Sequence, residues 1–242
     1  MSLLQNKTVV IVGAAGSLGQ CVALQFTSFD MNIGLVADTH LQNSLHSLIP
    51  EIQAGGSSPA VFCGDCTEEH FAMRTAEELL QKFGKVDILI MVDGSSTVEA
   101  AENIRIADWD QAFSTSVKTS FLFCKALVPH FKTKKAGHII HITSDLAKRI
   151  AGGNSLNSAT RFAEDAFFKT LRKELRPYDV KLSIIYCGLI NADNTMDFQG
   201  NSHQEEWPKN EDIANAVIFV ASQPSYVAIN EILIQPVSQD YP

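Results

Sequence analysis

The sequence predicts an α/β fold, a single doubly wound parallel sheet of about seven strands with helices on both faces. Three observations lead there. Short apolar runs alternate with longer helical patterns along the whole chain, which calls for parallel strands joined by helical crossovers. The first run, Val9-Val10-Ile11-Val12, passes through the turn Gly13-Ala14-Ala15-Gly16-Ser17-Leu18-Gly19 into a helical pattern. The 242 residues, 45% hydrophobic and 19% charged, are enough for one substantial core, and no repeat, linker or low-complexity stretch divides them, so 1–242 reads as one domain.

Taken in order, strands are expected from Thr8 to Val12, Asn32 to Ala37, Ala60 to Cys63, Asp87 to Val92, His138 to Thr143, Lys181 to Tyr186 and Glu231 to Gln235. Each is short and apolar enough to be buried on both faces. Glu77, Leu79 and Leu80 belong to a helix that Thr67 or Asp65 can cap, with Glu68 and Glu69 in its first turn. Lys132-Thr133-Lys134-Lys135 suits a helix C-terminus, where cations meet the dipole. The longest helices should follow Asp108 and Ser155. Their apolar stripes (Phe113, Ser116, Val117, Ser120, Phe121 and Cys124 on one; Phe162, Ala166, Phe167 and Leu171 on the other) are wider than one sheet face requires. Phe167 and Phe168 are adjacent and cannot both face the same sheet. A homodimer or homotetramer through these two helices is therefore expected.

The formal charge of −8 argues against non-specific binding to nucleic acid or an anionic membrane, both of which need a basic face. The opening Met1-Ser2-Leu3-Leu4-Gln5-Asn6-Lys7 has no basic flank followed by an apolar core, so no leader is expected, and no apolar run approaches the ~20 residues of a membrane span. A cytoplasmic location is expected. The five cysteines, an odd number, read as reduced thiols. Cys63-Gly64-Asp65-Cys66 has the spacing of a redox or metal pair, but no second pair accompanies it, and neither role is expected.

The first strand, turn and helix carry the chemistry. Glycines there permit a tight turn and close backbone approach, and unpaired helix N–H groups can face a pyrophosphate. The second apolar run ends in Asp38, 19 residues beyond Gly19, where a ribose-binding carboxylate belongs. Gly13, Gly16, Ser17, Leu18, Gly19 and Asp38 thus form a candidate dinucleotide site, with NAD(H) preferred over NADP(H) because Asp38 repels a 2′-phosphate.

With the glycine loop, Asp38, Asp65, Gly94, Ser144 and Cys187-Gly188 in order along seven strands, the chain resembles the short-chain dehydrogenase/reductase family over nearly its whole length. The resemblance implies a Rossmann-like domain that transfers hydride between NAD(P) and a carbonyl or hydroxyl carbon. It also places Asp65, Cys66, Asp93, Gly94, Arg161, Gly188 and Ile190 against the cofactor. The family's catalytic serine corresponds to Ser144, at the end of Ile139-Ile140-His141-Ile142-Thr143-Ser144. Its Y-x-x-x-K window falls on Asn157-Ser158-Ala159-Thr160-Arg161, so Asn157 stands for the tyrosine and Arg161 for the lysine. Ser116, in Thr115-Ser116-Val117 after Trp109, stands for the helical asparagine. The loop departs as well: the family's T-G-x-x-x-G-x-G would put a threonine at Val12 and a glycine at Ser17.

These departures bear on a proton. Reduction of a carbonyl needs a positioned acid, in the family a tyrosine whose pKa of about 10 is lowered by the neighbouring lysine. An asparagine amide cannot be that acid, and a guanidinium does not relay protons. His141 is expected to point away from Ser144 by strand alternation and to be a hydrogen-bonded structural histidine. Asp145 would need a raised pKa. Three readings remain: a dinucleotide-binding protein with a degenerate site and little or no turnover, an active oxidoreductase with a rearranged proton donor, and a cofactor-free interaction subunit. The first is preferred. The segment 191–207 reads as a short lid or substrate loop, and no substrate is identified.

Overall fold

The computed structural model describes residues 3–92, 94, 98–191 and 207–239. Seven strands form one sheet: β1 (Thr8–Val12), β2 (Asn32–Ala37), β3 (Ser58–Cys63), β4 (Ile88–Val92), β5 (Gly137–Ser144), β6 (Val180–Cys187) and β7 (Glu231–Ile234). Their spatial order is β3-β2-β1-β4-β5-β6-β7, and every neighbouring pair is parallel. The chain winds outward from β1 to β3, then crosses back to lay β4 on the other side of β1. Helices leaving β1 and β4 diverge at that switch, opening a crevice at the carboxyl ends of the strands.

Alternation along each strand sends side chains to two cores. Val9 and Ile11 join one with Val22 of α1 (Ser17–Gln25) and Ile213 and Val217 of α8 (Asn210–Ala221). Val10 and Val12 join the other with Leu79 of α4 (Glu69–Phe83), Leu127 of α6 (Thr119–Lys134) and Phe168 of α7 (Ser155–Leu175). Period-two burial on both faces explains the near-continuous apolar strands. Short helices α2 (Gln42–His46) and α3 (Ile49–Ala54) connect β2 to β3.

Two local expectations are corrected. The helix carrying Leu79 is capped by Glu68, without a side-chain cap bond; Asp65 instead folds back on Thr67, so neither Asp65 nor Thr67 serves as the cap. The helix expected after Asp108 starts earlier, as α5 (Ile106–Phe113), where the Arg105 guanidinium clasps the Asp108 carboxylate at 2.7 and 2.5 Å. It continues into α6 through a π-helical turn over Ser114–Lys118. Such an extra residue shifts the facing of everything beyond it. Asp93 lies outside the described residues, as does 192–206 of the expected lid; Asn191 pairs with Lys209 at one end of that segment, and Trp207 is buried at the other. No helix among the described residues is long and apolar enough to cross a membrane.

Candidate functional site

The turn after β1 requires glycine where the backbone crowds. Gly13 has φ +82°, and a Cβ there would meet the Val92 carbonyl at 2.5 Å. A Cβ on Gly19 would lie 2.2 Å from the Gly13 carbonyl, so this glycine lets α1 sit down on the loop. Gly16 caps α1 with its backbone extended, and Ser17, Leu18 and Gly19 form the first turn. No side chain caps that turn and it holds no acidic residue, which leaves the helix N-terminus open to an anion. The Gln20 amide donates to the Ala15 carbonyl at 2.7 Å and braces the loop.

Asp38 follows β2. Its carboxylate does not cap the next turn but accepts from the Cys66 backbone N–H at 3.1 Å, joining the ends of β2 and β3. Asp65 accepts from the Thr67 N–H and hydroxyl at 2.8 and 2.6 Å, and these bonds hold its pKa below the ordinary value. The Thr119 hydroxyl, on α6, donates to the Cys66 carbonyl at 3.2 Å, so the segment is fixed from both sides. Burial, then the Asp38 charge, pushes the Cys66 thiol up, against thiolate chemistry in the Cys63/Cys66 pair.

At the ends of β5 and β6, Ser144 and Gly188 face different neighbours. The Ser144 hydroxyl accepts from the Leu146 N–H at 3.1 Å and reaches Asp145 at 3.4 Å. Asp145 is buried, and its carboxylate accepts from the Arg149 guanidinium at 2.6 Å and from the Gln239 amide. The Gly188 N–H donates to the Ile234 carbonyl at 2.8 Å, and the Leu189 N–H to the Gln239 side-chain oxygen at 2.9 Å; Ile190 follows, packed against the core. Burial and the nearby Asp145 charge push the Cys187 thiol up to about 12.

Asn157 and Arg161 lie on α7, against which the turn after Ser144 also packs. Asn157 is buried, and its amide donates to the Asn154 side-chain oxygen at 3.1 Å. Arg161 is 3% exposed and sits between three elements: it donates to Glu164 on α7 at 3.1 Å, to the Ser116 hydroxyl in the π turn at 3.4 Å, and to the Gly94 carbonyl after β4 at 2.9 Å. Burial lowers the Arg161 pKa while the Glu164 charge opposes the shift. Glu164, 1% exposed, also accepts from the Ser120 hydroxyl at 2.9 Å. The sequence reading missed Glu164; a carboxylate three residues after a buried arginine on one helix face was the available signal.

His141 lies on the face of β5 opposite Ile142, its ring stacked on Phe168 with centroids 4.1 Å apart. It is fully buried and its Nε2 is 4.0 Å from Glu164, too long for a hydrogen bond. Burial lowers its pKa, the Glu164 and Asp165 charges pulling the other way. The expected structural histidine is thus a stacked core residue whose burial favours the neutral form.

The chain belongs to the short chain dehydrogenase family, whose profile matches residues 7–203. It is an oxidoreductase by that resemblance, with the family's NAD(P)-binding fold. It is 25% identical to an uncharacterized oxidoreductase of Staphylococcus haemolyticus and 26% identical to one of Staphylococcus aureus, each alignment covering 98% of this chain and all of the relative. Among solved structures, it is similar to an alcohol dehydrogenase from Thermococcus sibiricus complexed with 5-hydroxy-NADP (TM-score 0.87, 20% identity, 98% of this chain and 100% of that one). It is also similar to a 7α-hydroxysteroid dehydrogenase complexed with NADH and 7-oxo glycochenodeoxycholic acid (TM-score 0.88, 21% identity, 98% and 96%). At these identities the structures establish the fold.

Proposed function

We propose that this chain is a dinucleotide-binding member of its family that takes NAD(H) in preference to NADP(H) and performs little or no standard hydride transfer. The observation that carries this reading is the pairing of Asn157 with Asn154 where the family's acid stands, one helical turn from an Arg161 neutralised by Glu164. When bound, the cofactor supplies a hydride at its nicotinamide. The residues here fit binding: the open first turn of α1 suits a pyrophosphate, and the cradle at Gly13 and Gly19 has no room for a side chain. Asp38 can accept from ribose hydroxyls with the carboxylate that already anchors Cys66. Asp65, Cys66, Asp93, Gly94, Arg161, Gly188 and Ile190 would line the remainder.

Proton delivery is where the fit ends. Asn157 can hold a hydrogen bond but cannot release a proton near neutral pH. Ser144 can polarise a carbonyl oxygen, yet it is no acid. Asp145 is engaged by Arg149 and Gln239, and His141 is walled off by Phe168 and the sheet. No alternative donor among the described residues lies beside Ser144 in a form ready to act.

We also propose that α6 and α7 pair with a second copy, as a homodimer or homotetramer. Phe121 is 45% exposed and lies edge-on to Phe167, ring centroids 6.1 Å apart, with Phe162 exposed on the same helix as Phe167. This ridge supports an apolar, self-complementary contact. The five free cysteines support a cytoplasmic location.

The test combines calorimetric titration of NADH and of NADPH with NADH oxidation over a broad aldehyde and ketone panel. Binding without turnover is the expected result. Robust turnover that survives Asn157→Ala would overturn the degenerate-site reading, and failure to bind either dinucleotide would favour a cofactor-free subunit.

A further inference from the structure

We infer that the segment after β7 is a strap over the carboxyl end of the sheet, with Gln239 as the positioning residue that couples the Ser144–Asp145 turn to the 188–190 turn. Three contacts of one side chain carry this. The Gln239 amide nitrogen donates to Asp145, and its amide oxygen accepts from the Leu189 N–H at 2.9 Å. The same oxygen lies where Gly188 has no side chain: a Cβ there would sit 2.4 Å from it. The Gln239 N–H donates to the Pro236 carbonyl at 3.0 Å, so the strap's own turn aims the amide.

The chemistry suits a clamp. A carboxamide is both donor and acceptor in one plane, so it can span an acceptor on β5's turn and a donor on β6's turn that cannot bond each other. Asp145 in turn touches the Ser144 hydroxyl, which places the clamp one contact from the retained serine. Asp145 faces the Arg149 guanidinium from its own turn and the Cys187 thiol from β6, and the clamp closes its remaining side. Parallel sheets bind ligands at these strand ends, so a link between adjacent turns fixes the width of the crevice there. The functional part of this inference rests on the dinucleotide reading above.

The test uses the full chain. In the absence of nucleotide, amide hydrogen exchange is followed at Leu189 in the natural protein, Gln239→Ala, Gly188→Ala and the double variant. Losing one hydrogen bond of this kind is expected to raise Leu189 exchange about five- to tenfold in Gln239→Ala. Gly188→Ala should do the same by pushing the amide aside, and the double variant should add little to either single change. NADH is then titrated into each, reading affinity and the emission of bound NADH at saturation. A weaker emission enhancement in both single variants is expected, since a general loss of stability would not alter the signal of protein that is folded and saturated. Unchanged Leu189 exchange in Gln239→Ala, or fully additive effects, overturns the clamp. Altered exchange with unaltered NADH affinity and emission overturns its coupling to the site. Should the natural protein bind no dinucleotide, the reading of function fails while exchange still decides the clamp.

Discussion

Arg161 and Glu164 form a buried ion pair at 3.1 Å, one turn apart on α7, with both side chains almost wholly removed from water. Neither charge could stay there alone. Desolvation of an unpaired guanidinium or carboxylate costs several kcal/mol, whereas the pair also gathers hydrogen bonds from Ser120 and to Ser116 and Gly94. Arg161 is thereby committed to holding α7, the π turn and the end of β4 together.

Removing one partner should therefore be far worse than removing both. Glu164→Ala is expected to lower unfolding stability by ~3 kcal/mol or more, because Arg161 is left buried and uncompensated. Arg161→Met combined with Glu164→Leu should recover most of that loss. Urea unfolding with fluorescence detection measures both, and a Glu164→Ala variant as stable as the natural protein would show the pair to be dispensable.

Cofactor discrimination should follow Asp38. NADH is expected to bind at least ~10-fold more tightly than NADPH, since a 2′-phosphate would approach a carboxylate already turned toward the Cys66 N–H. Thr39 is exposed beside it, so Thr39→Arg should narrow or reverse the ratio. Calorimetry on both cofactors decides; equal affinities in the natural protein would remove Asp38 from the ribose site.

Restoring the acid should restore some chemistry. General acid–base assistance contributes ~10²–10⁴-fold, so Asn157→Tyr with Arg161→Lys should raise carbonyl reduction from near background. Glu164 limits the gain, because a lysine at 161 beside that carboxylate lowers a neighbouring tyrosine's pKa less than a free cation would. Adding Glu164→Gln should not help, because it leaves the lysine buried without a counter-charge and so favours its neutral form. Activity in none of these variants, while NADH still binds, would mean that more than the proton donor has been lost.

Phe168 and Phe121 lie on the two helices expected at a subunit contact but differ sharply in exposure. Phe168 is fully buried under His141 and fills the core, so Phe168→Glu should unfold the protein rather than yield monomers. Phe121, on the exposed ridge, is the informative site: Phe121→Glu should give folded monomers. Light scattering of the natural protein at micromolar concentration must show a dimer or tetramer for this to hold.

The strands were legible because parallel pairing buries both faces, and a run such as Val9–Val12 has no competing helical reading. Each observed boundary lies within two residues of its expectation. The two faces of β5 were legible for the same reason. The π turn was not, since the stretch over Ser114–Lys118 carries no glycine or proline to mark an inserted residue. Nor was the environment of Asn157 and Arg161, because the positions were found by motif spacing whereas their partners, Asn154, Glu164 and Gly94, depend on how three elements converge. Gln239 lay beyond reach altogether: its contacts at Asp145 and Leu189 are 94 and 50 residues away.

Acid should destabilise the fold through its buried histidines. His138 is buried, and burial together with the Lys181 and Lys7 charges brings its pKa down to about 3 from 6.5. The Ser183 hydroxyl donates to the Ile229 carbonyl at 2.5 Å, so it can only accept from His138 Nε2 at 2.8 Å. His138 is thus neutral, with its proton on Nε2. Below pH 6.5 the unfolded chain takes up a proton that the native state refuses, so this contribution to stability is complete above 6.5 and is lost as pH falls toward 3. His141, also lowered by burial, acts in the same direction. His138 contributes a slope of at most ~1.4 kcal/mol per pH unit inside that window. Urea unfolding from pH 7 to pH 4.5 should therefore show falling stability, and His138→Gln should flatten the slope by close to one proton while leaving His141's share. A slope unchanged in His138→Gln would mean that the imidazole titrates in the folded protein, and that the buried, Nε2-protonated assignment is wrong.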